Sequence, residues 1–400
     1  MKLAVVLAVA ATLVLPAAAA KAPPAVLGID WNDRTGTRLA RIDPTTLAIQ
    51  PGRKVLLAGH TSPWAFSPDR TKLAFGGDGP TLRFVDARKM RVLGDLRLGA
   101  AGLVDYLDWA RSDRLLALVR SEAGDATVVL VDAARRRVIR TIPIARALFG
   151  AAAYPGGLAL LLGDPAGHAP AEVDVVDGQG ALRTIALDQI AAGYIDYGGG
   201  RAEVRRPGLA VDAAAHSAFV VDANFSVAEV DLDDLAVAYH RESTRSLAKF
   251  LPGPARVARW LGNGVLAVAG ANYYGDAKPV GLHLIDTRTW TWRTVDANAF
   301  SFEVGRGVVA TNSDPLGVGP RHYSVYGFDG ALRYGVDVAA QQSLVVQGAY
   351  AYVCRGRGLM RVLDARTGAV LHRYRSSTLP LCATLLYGQS SPGTSALLPV

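Results

Sequence analysis

Residues 62–98 read SPWAFSPDRTKLAFGGDGPTLRFVDARKMRVLGDLRL, and this stretch decides the fold. The first β run is Trp64-Ala65-Phe66, stopped by Ser67-Pro68-Asp69-Arg70. Proline fixes φ there and aspartate can bond the following backbone, so a turn is predicted. The second run, 72–75, stops at Gly76-Gly77-Asp78-Gly79. The third, 82–85, alternates apolar and polar residues and ends on Asp86. The fourth, 91–98, alternates again, as a half-buried strand does. Four strands this short cannot bury both faces of their own sheet. They need a neighbouring sheet on each side, which is what a ring of such units supplies.

Cousins of the unit run the length of the chain. Their strongest mark is an aspartate that closes an apolar run and opens a turn. It stands at Asp43, Asp86, Asp132, Asp177, Asp231, Asp286, Asp329 and Asp364, at intervals of 35 to 55 residues. A propeller blade takes about 40–50 residues. An aspartate in that place accepts hydrogen bonds from the N–H groups of its own turn, so these eight are read as turn residues and not as catalytic carboxylates. A large apolar or aromatic residue closes the first run of each unit: Phe66, Trp109, Tyr154, Val211, Trp260, Phe302 and Val346. Packing between blades is expected of them.

The marks count eight blades, with seven as the alternative because the last interval is short. The first unit lacks its first strand. One further β-like run, 381–387, follows the last unit and is expected to supply it, leaving no long sheet edge exposed. The predicted organisation is a leader at 1–20, an all-β propeller at 21–388 and a loosely held tail at 389–400. Two connections between blades, 188–207 and 241–254, are long, and binding residues favour long loops on rigid scaffolds.

Composition fits that reading. The chain has 400 residues, half of them apolar, and 42 glycines for turns. Residues 1–20 carry Lys2, an apolar core at 3–15 and Ala18-Ala19-Ala20, the pattern of a cleavable export signal with Lys21 as mature terminus. A secreted, extracytoplasmic protein is therefore expected, and no later run is read as a membrane span. The net charge of +8 is read first as solubility and second as attraction to anionic surfaces. The Arg135-Arg136-Arg137 run falls in a turn, and no nucleic-acid recognition module is found. Two cysteines, Cys354 and Cys382, permit one disulfide, with two buried thiols as the alternative. It would close a loop worth roughly 3–4 kcal/mol in the chain-entropy account.

The segment AFSPDRTKLAFGGDGPTLRFVDARKMRVLGDL resembles the repeat of WD-repeat-like and YVTN-type β-propellers in its SPD turn, its LAF strand and its VD ending. Residues 350–374, YAYVCRGRGLMRVLDARTGAVLHRY, are similar to the same repeat in the style of quinoprotein propellers. The resemblance implies the fold over about residues 25–388. It implies a binding platform more often than an enzyme. The Trp-Asp pair that names the WD class is absent.

The chemistry-bearing candidates lie in the loops between second and third strands. Asp222, Asn224, Asn272 and Asn312 come from consecutive blades, and a ring of such oxygens could hold a Ca²⁺-like hard cation. Turn chemistry explains the same residues. No nucleophile elbow, zinc motif or phosphate loop is present, and the seven histidines are scattered. The expectation is an exported, monomeric binding scaffold for a protein, glycan or cell-wall partner, with no cofactor. The alternative is a metal-dependent propeller enzyme of lactonase or quinoprotein type.

Overall fold

Alternating apolar residues make a half-buried strand such as Thr81–Asp86, near-continuous apolar ones a fully buried strand such as Gly157–Gly163, and the intervening Pro, Gly and Asp residues turn the chain back on itself. In the computed structural model this produces eight antiparallel sheets arranged as blades. The structure describes residues 26–375 except 31–35, 78, 165–168, 193, 197–202, 223–225, 242–254, 273–277, 315–318, 341 and 355–358. Blade 2 is the quoted stretch, with strands Trp64–Phe66, Lys72–Gly76, Thr81–Asp86 and Arg91–Arg97 hydrogen-bonded in chain order. Blades 3, 4, 5, 7 and 8 repeat that order. Blade 6 adds a two-residue strand, Lys278–Pro279, beside its second strand.

Blade 1 has three strands, Val26–Asp30, Arg38–Ile42 and Val55–Leu56. The expected missing strand at 381–387 lies outside the described residues, as do the leader and the tail. So does most of the 241–254 connection. The connection after blade 4 forms a small hairpin, Tyr194–Asp196 with Glu203–Arg205.

First strands of successive blades touch one another. Trp64–Phe66 meets Leu103–Arg111, Ala147–Tyr154 meets Gly208–Asp212, and Gly208–Asp212 meets Ala255–Gly262. These strands therefore surround the central axis. Fourth strands lie outermost and are half exposed, whereas second strands such as Gly157–Gly163 are buried throughout.

The core is divided among the gaps between blades. Phe66 packs with Ile29 and Leu39 between blades 1 and 2. Trp109 packs with Phe84 between blades 2 and 3, and its Nε1 donates to the Ala65 carbonyl at 3.0 Å. Trp260 stacks on Phe219 at 5.2 Å between blades 5 and 6. Val346 packs with Val325 and Val353 between blades 7 and 8. A further cluster, with Ile42, Tyr352 and Val362, lies between blades 8 and 1.

The aspartate turns share one geometry. In all eight, Oδ1 accepts the backbone N–H two residues on, at 2.7–3.1 Å: Asp43 from Thr45, Asp86 from Arg88, Asp132 from Ala134, Asp177 from Gln179, Asp231 from Asp233, Asp286 from Arg288, Asp329 from Ala331 and Asp364 from Arg366. These bonds satisfy amides that the ladder leaves over where the third strand ends. Asp132 also gathers Arg135 at 3.1 Å and Arg137 at 3.9 Å, so two arginines of the basic run serve this turn.

Candidate functional site

The blade order puts two kinds of loop at opposite mouths of the central channel. Turns between first and second strands open at one mouth. Loops between second and third strands, and the connections between blades, open at the other.

The predicted oxygen ring belongs to the second mouth. Asp222 follows the second strand of blade 5, Ser217–Val221, and is 2% exposed. Its Oδ1 accepts the Ser226 N–H at 2.8 Å, and its charge acts on the Arg256 guanidinium of blade 6. Asn312 ends the second strand of blade 7. Its Oδ1 accepts the Asp314 N–H at 3.0 Å and its Nδ2 donates to the Asp314 carbonyl at 3.1 Å. Both side chains hold their own loops. Asn272 ends the second strand of blade 6, but its side chain lies outside the described residues, as does all of Asn224. Among the described residues no group of three or more His, Cys, Asp or Glu is placed to hold a metal ion.

Arginines gather at the same mouth, and no sequence pattern pointed to them. Arg120 ends the second strand of blade 3, Arg114–Arg120, and its Nη2 bonds Asp105 Oδ2 at 2.5 Å. Arg206 immediately precedes blade 5, and its Nη1 donates to the Phe149 carbonyl of blade 4 at 3.0 Å. Arg256 and Arg259 lie on the first strand of blade 6. Arg259 donates to the Ala258 carbonyl at 3.0 Å.

Burial lowers the pKa of Arg206 most, and Arg259 and Arg120 lower it further. Burial lowers that of Arg259 too, opposed by Tyr106 of blade 3. Arg259 is nevertheless solvent-accessible. Asp105 is 8% exposed, and burial raises its pKa against the pull of Arg120. Arg256 is also held low by burial, with Asp222 opposing.

The opposite mouth holds a cleft of about 610 Å³. Four consecutive blades line it with their first turns: Pro68 of blade 2, residues 108–113 of blade 3, residues 153–156 of blade 4 and Ala213 of blade 5. Asp108, 7% exposed, accepts the Trp109 N–H at 2.6 Å. Arg111 and Asp113 pair at 3.5 Å on the rim. Tyr154 forms an apolar wall, held edge-on by the His216 ring at 5.7 Å, and burial raises its pKa. The volume falls within the roughly 300–1,000 Å³ range of small-ligand sites. The turn residues Pro68, Asp113 and Tyr154-Pro155-Gly156 are legible as turns in the sequence. Their meeting across four blades is not.

No protein-family profile matches the chain, and no curated protein does. Solved structures do. BamB from Moraxella catarrhalis aligns at 13% identity and TM-score 0.51, covering 81% of this chain and 90% of that one. A dihydro-heme d1 dehydrogenase, NirN, in complex with DHE aligns at 15% identity and TM-score 0.56, covering 95% and 76%. Sqt1 from Saccharomyces cerevisiae aligns at 12% identity and TM-score 0.51, covering 80% and 87%. Likeness at these identities is one of fold. Fold alone does not assign an activity, so the chain stands as an eight-bladed β-propeller.

Proposed function

We propose that the protein is an exported binding propeller that seats a peptide segment of a partner protein in the cleft at the first-turn mouth. The cleft carries the reading. It offers an apolar wall at Tyr154 and Pro155, a basic and an acidic rim residue at Arg111 and Asp113, and turn backbone from four blades. Those are the groups that an extended peptide, with its own amides and mixed side chains, would meet. Export rests on the basic, apolar and small-residue order of residues 1–20 and on two cysteines. We also propose a Cys354–Cys382 bridge. Cys354 is fully buried in blade 8 and no described cysteine is free; Cys382 lies outside the described residues. The reading takes the chain as a monomer.

Selection of displayed peptides on the wild-type chain tests the cleft. Ser112→Trp and Ala213→Trp fill it from different blades and should weaken selected peptides at least about tenfold, one contact's worth of binding energy. Peptides that bind both variants as tightly as wild type would sink the reading. A glycan array run alongside asks whether the cleft takes sugars instead. Elemental analysis of purified protein addresses the metal-dependent alternative, in which Asp222, Asn224, Asn272 and Asn312 would have to share an ion. In the described structure Asp222 and Asn312 each bind their own loop. Export is tested by mass spectrometry of protein recovered outside the cytoplasm, which should begin at Lys21.

A further inference from the structure

The positive charge of the chain is not spread evenly around the ring. Each blade ends in an aspartate turn and an outermost fourth strand. In blade 2 that segment carries Arg88, Lys89, Arg91 and Arg97 against Asp86 and Asp95. In blade 3 it carries Arg135, Arg136, Arg137 and Arg140 against Asp132 alone. The segments of blades 1 and 8 are also basic, whereas those of blades 4, 5 and 7 hold more acids than bases and that of blade 6 as many of each. The acids of blades 2 and 3 are already engaged. Asp95 pairs with Arg83 at 2.7 Å, Asp132 pairs with Arg135 at 3.1 Å, and Asp86 accepts the Arg88 and Lys89 amides. Arg88, Lys89, Arg136 and Arg140 are exposed, and among the described residues none of these four side chains pairs with a carboxylate. Contacts make the surface continuous across the gaps between blades. Arg41 of blade 1 donates to the Arg88 carbonyl at 3.3 Å. The Arg136 side chain reaches blade 2, where a Cβ on Gly94 would meet its Nε at 3.0 Å.

Apolar side chains stand among these cations. Val92 is 42% exposed beside Arg91, and Ile139 is 43% exposed beside Arg140. Ile49 and Leu56 are exposed in the same way on blade 1. Among the described residues the outer segments of blades 5 and 6 expose no large apolar side chain, and those of blades 4 and 7 expose one each, Leu182 and Leu332. Charges on an outer strand also deter pairing with another sheet. That task falls on all eight blades alike and would not gather the cations on one side, nor would it expose valine and isoleucine between them. Cations that attract phosphate headgroups, with apolar side chains that enter the headgroup boundary, are what binds an anionic bilayer surface. A soluble polyanion would meet the cations and leave Val92 and Ile139 in water. We propose that the outer edge of blades 1 to 3 docks on an anionic lipid bilayer, with Arg88, Lys89, Arg136 and Arg140 among the headgroups and Val92 and Ile139 beneath them. This surface lies on the rim of the ring and stands independently of the peptide cleft.

The test is cosedimentation of the full chain with phosphatidylcholine vesicles, prepared with and without phosphatidylglycerol. Binding to the anionic vesicles alone, weakening as salt rises, is the expected result. Arg136→Gln should weaken it about fivefold, the worth of one cation near the surface. Arg88→Gln together with Arg136→Gln should weaken it about twenty- to thirtyfold. Lys89→Gln with Arg140→Gln repeats the charge test at the other two cations and should give a similar loss. Val92→Ser with Ile139→Ser should weaken binding about threefold or more. Arg306→Gln, the same charge change on an exposed first turn of blade 7, should leave it unchanged, and so should the cleft variant Ser112→Trp. The proposal is overturned by absent binding, by equal binding to both kinds of vesicle, or by equal losses in Arg306→Gln and Arg136→Gln. It is also overturned if Val92→Ser with Ile139→Ser binds as wild type does, which would assign the edge to a soluble polyanion. Both charge pairs melting well below wild type would overturn it too, by assigning these side chains to the fold.

Discussion

The Tyr352 hydroxyl donates to the Pro44 carbonyl at 3.0 Å, linking the second strand of blade 8 to the Asp43 turn of blade 1. Both partners are buried, and Tyr352 is wholly inaccessible. Removing the hydroxyl would strand a buried acceptor. Tyr352→Phe should therefore cost about 1–3 kcal/mol. Urea denaturation checks it. A midpoint equal to wild type would show that the two end blades do not depend on this bond.

Two carboxylates should give the protein an acid-sensitive range. Hydrogen bonds from Ser67 and from the Thr71 backbone hold Asp69 down at about 2. Arg288, through its side chain and then its backbone, holds Asp286 down at about 2 as well. In the unfolded chain both should titrate near 3.9. Between those values the unfolded state binds more protons, so stability rises with pH there. Their contribution is complete above about pH 4 and fades as pH falls through about 2. Asp105 and Asp174 act in the opposite sense, because burial raises their pKa values. Residue-resolved NMR titration separates the two groups, and Asp69→Asn should flatten its share of the acid slope.

Gly102 stands at φ +119°, and a Cβ there would collide with the Arg120 carbonyl oxygen. No L-residue relieves both the backbone angle and that contact. Gly102→Ala should destabilise the chain by at least about 1–3 kcal/mol. It should also displace the strand end that carries Arg120. Thermal unfolding of the variant, compared with Gly99→Ala as a positive-φ site with open space around it, isolates the steric part.

The proposed bridge predicts that protein purified without reductant and unfolded in denaturant shows no reactive thiol. Two thiols per chain in that assay would refute it. Reduction should lower stability by roughly 3–4 kcal/mol, in line with a closed loop of this length.

The blades were legible because their information is local. Each aspartate, its preceding apolar run and its turn lie within a dozen residues, so Trp64–Phe66 through Arg91–Arg97 could be placed from pattern alone. The channel arginines were not. Arg120 ends a second strand, Arg206 lies in a connection and Arg259 sits inside a first strand. They belong to blades 3, 5 and 6, and no spacing in the chain links them. The candidate oxygen residues illustrate the reverse. Asp222 and Asn312 stood out because they are turn formers, and the structure finds both bonded to their own turns.

One feature of the turns bears on how such a molecule can change. Each of the eight aspartates closes with its carboxylate onto an amide only two residues ahead, inside its own turn. A gene segment copied or deleted as a whole unit thus carries its own closure with it. Growth or shrinkage of the ring would need new matching only along the flanks of the inserted unit.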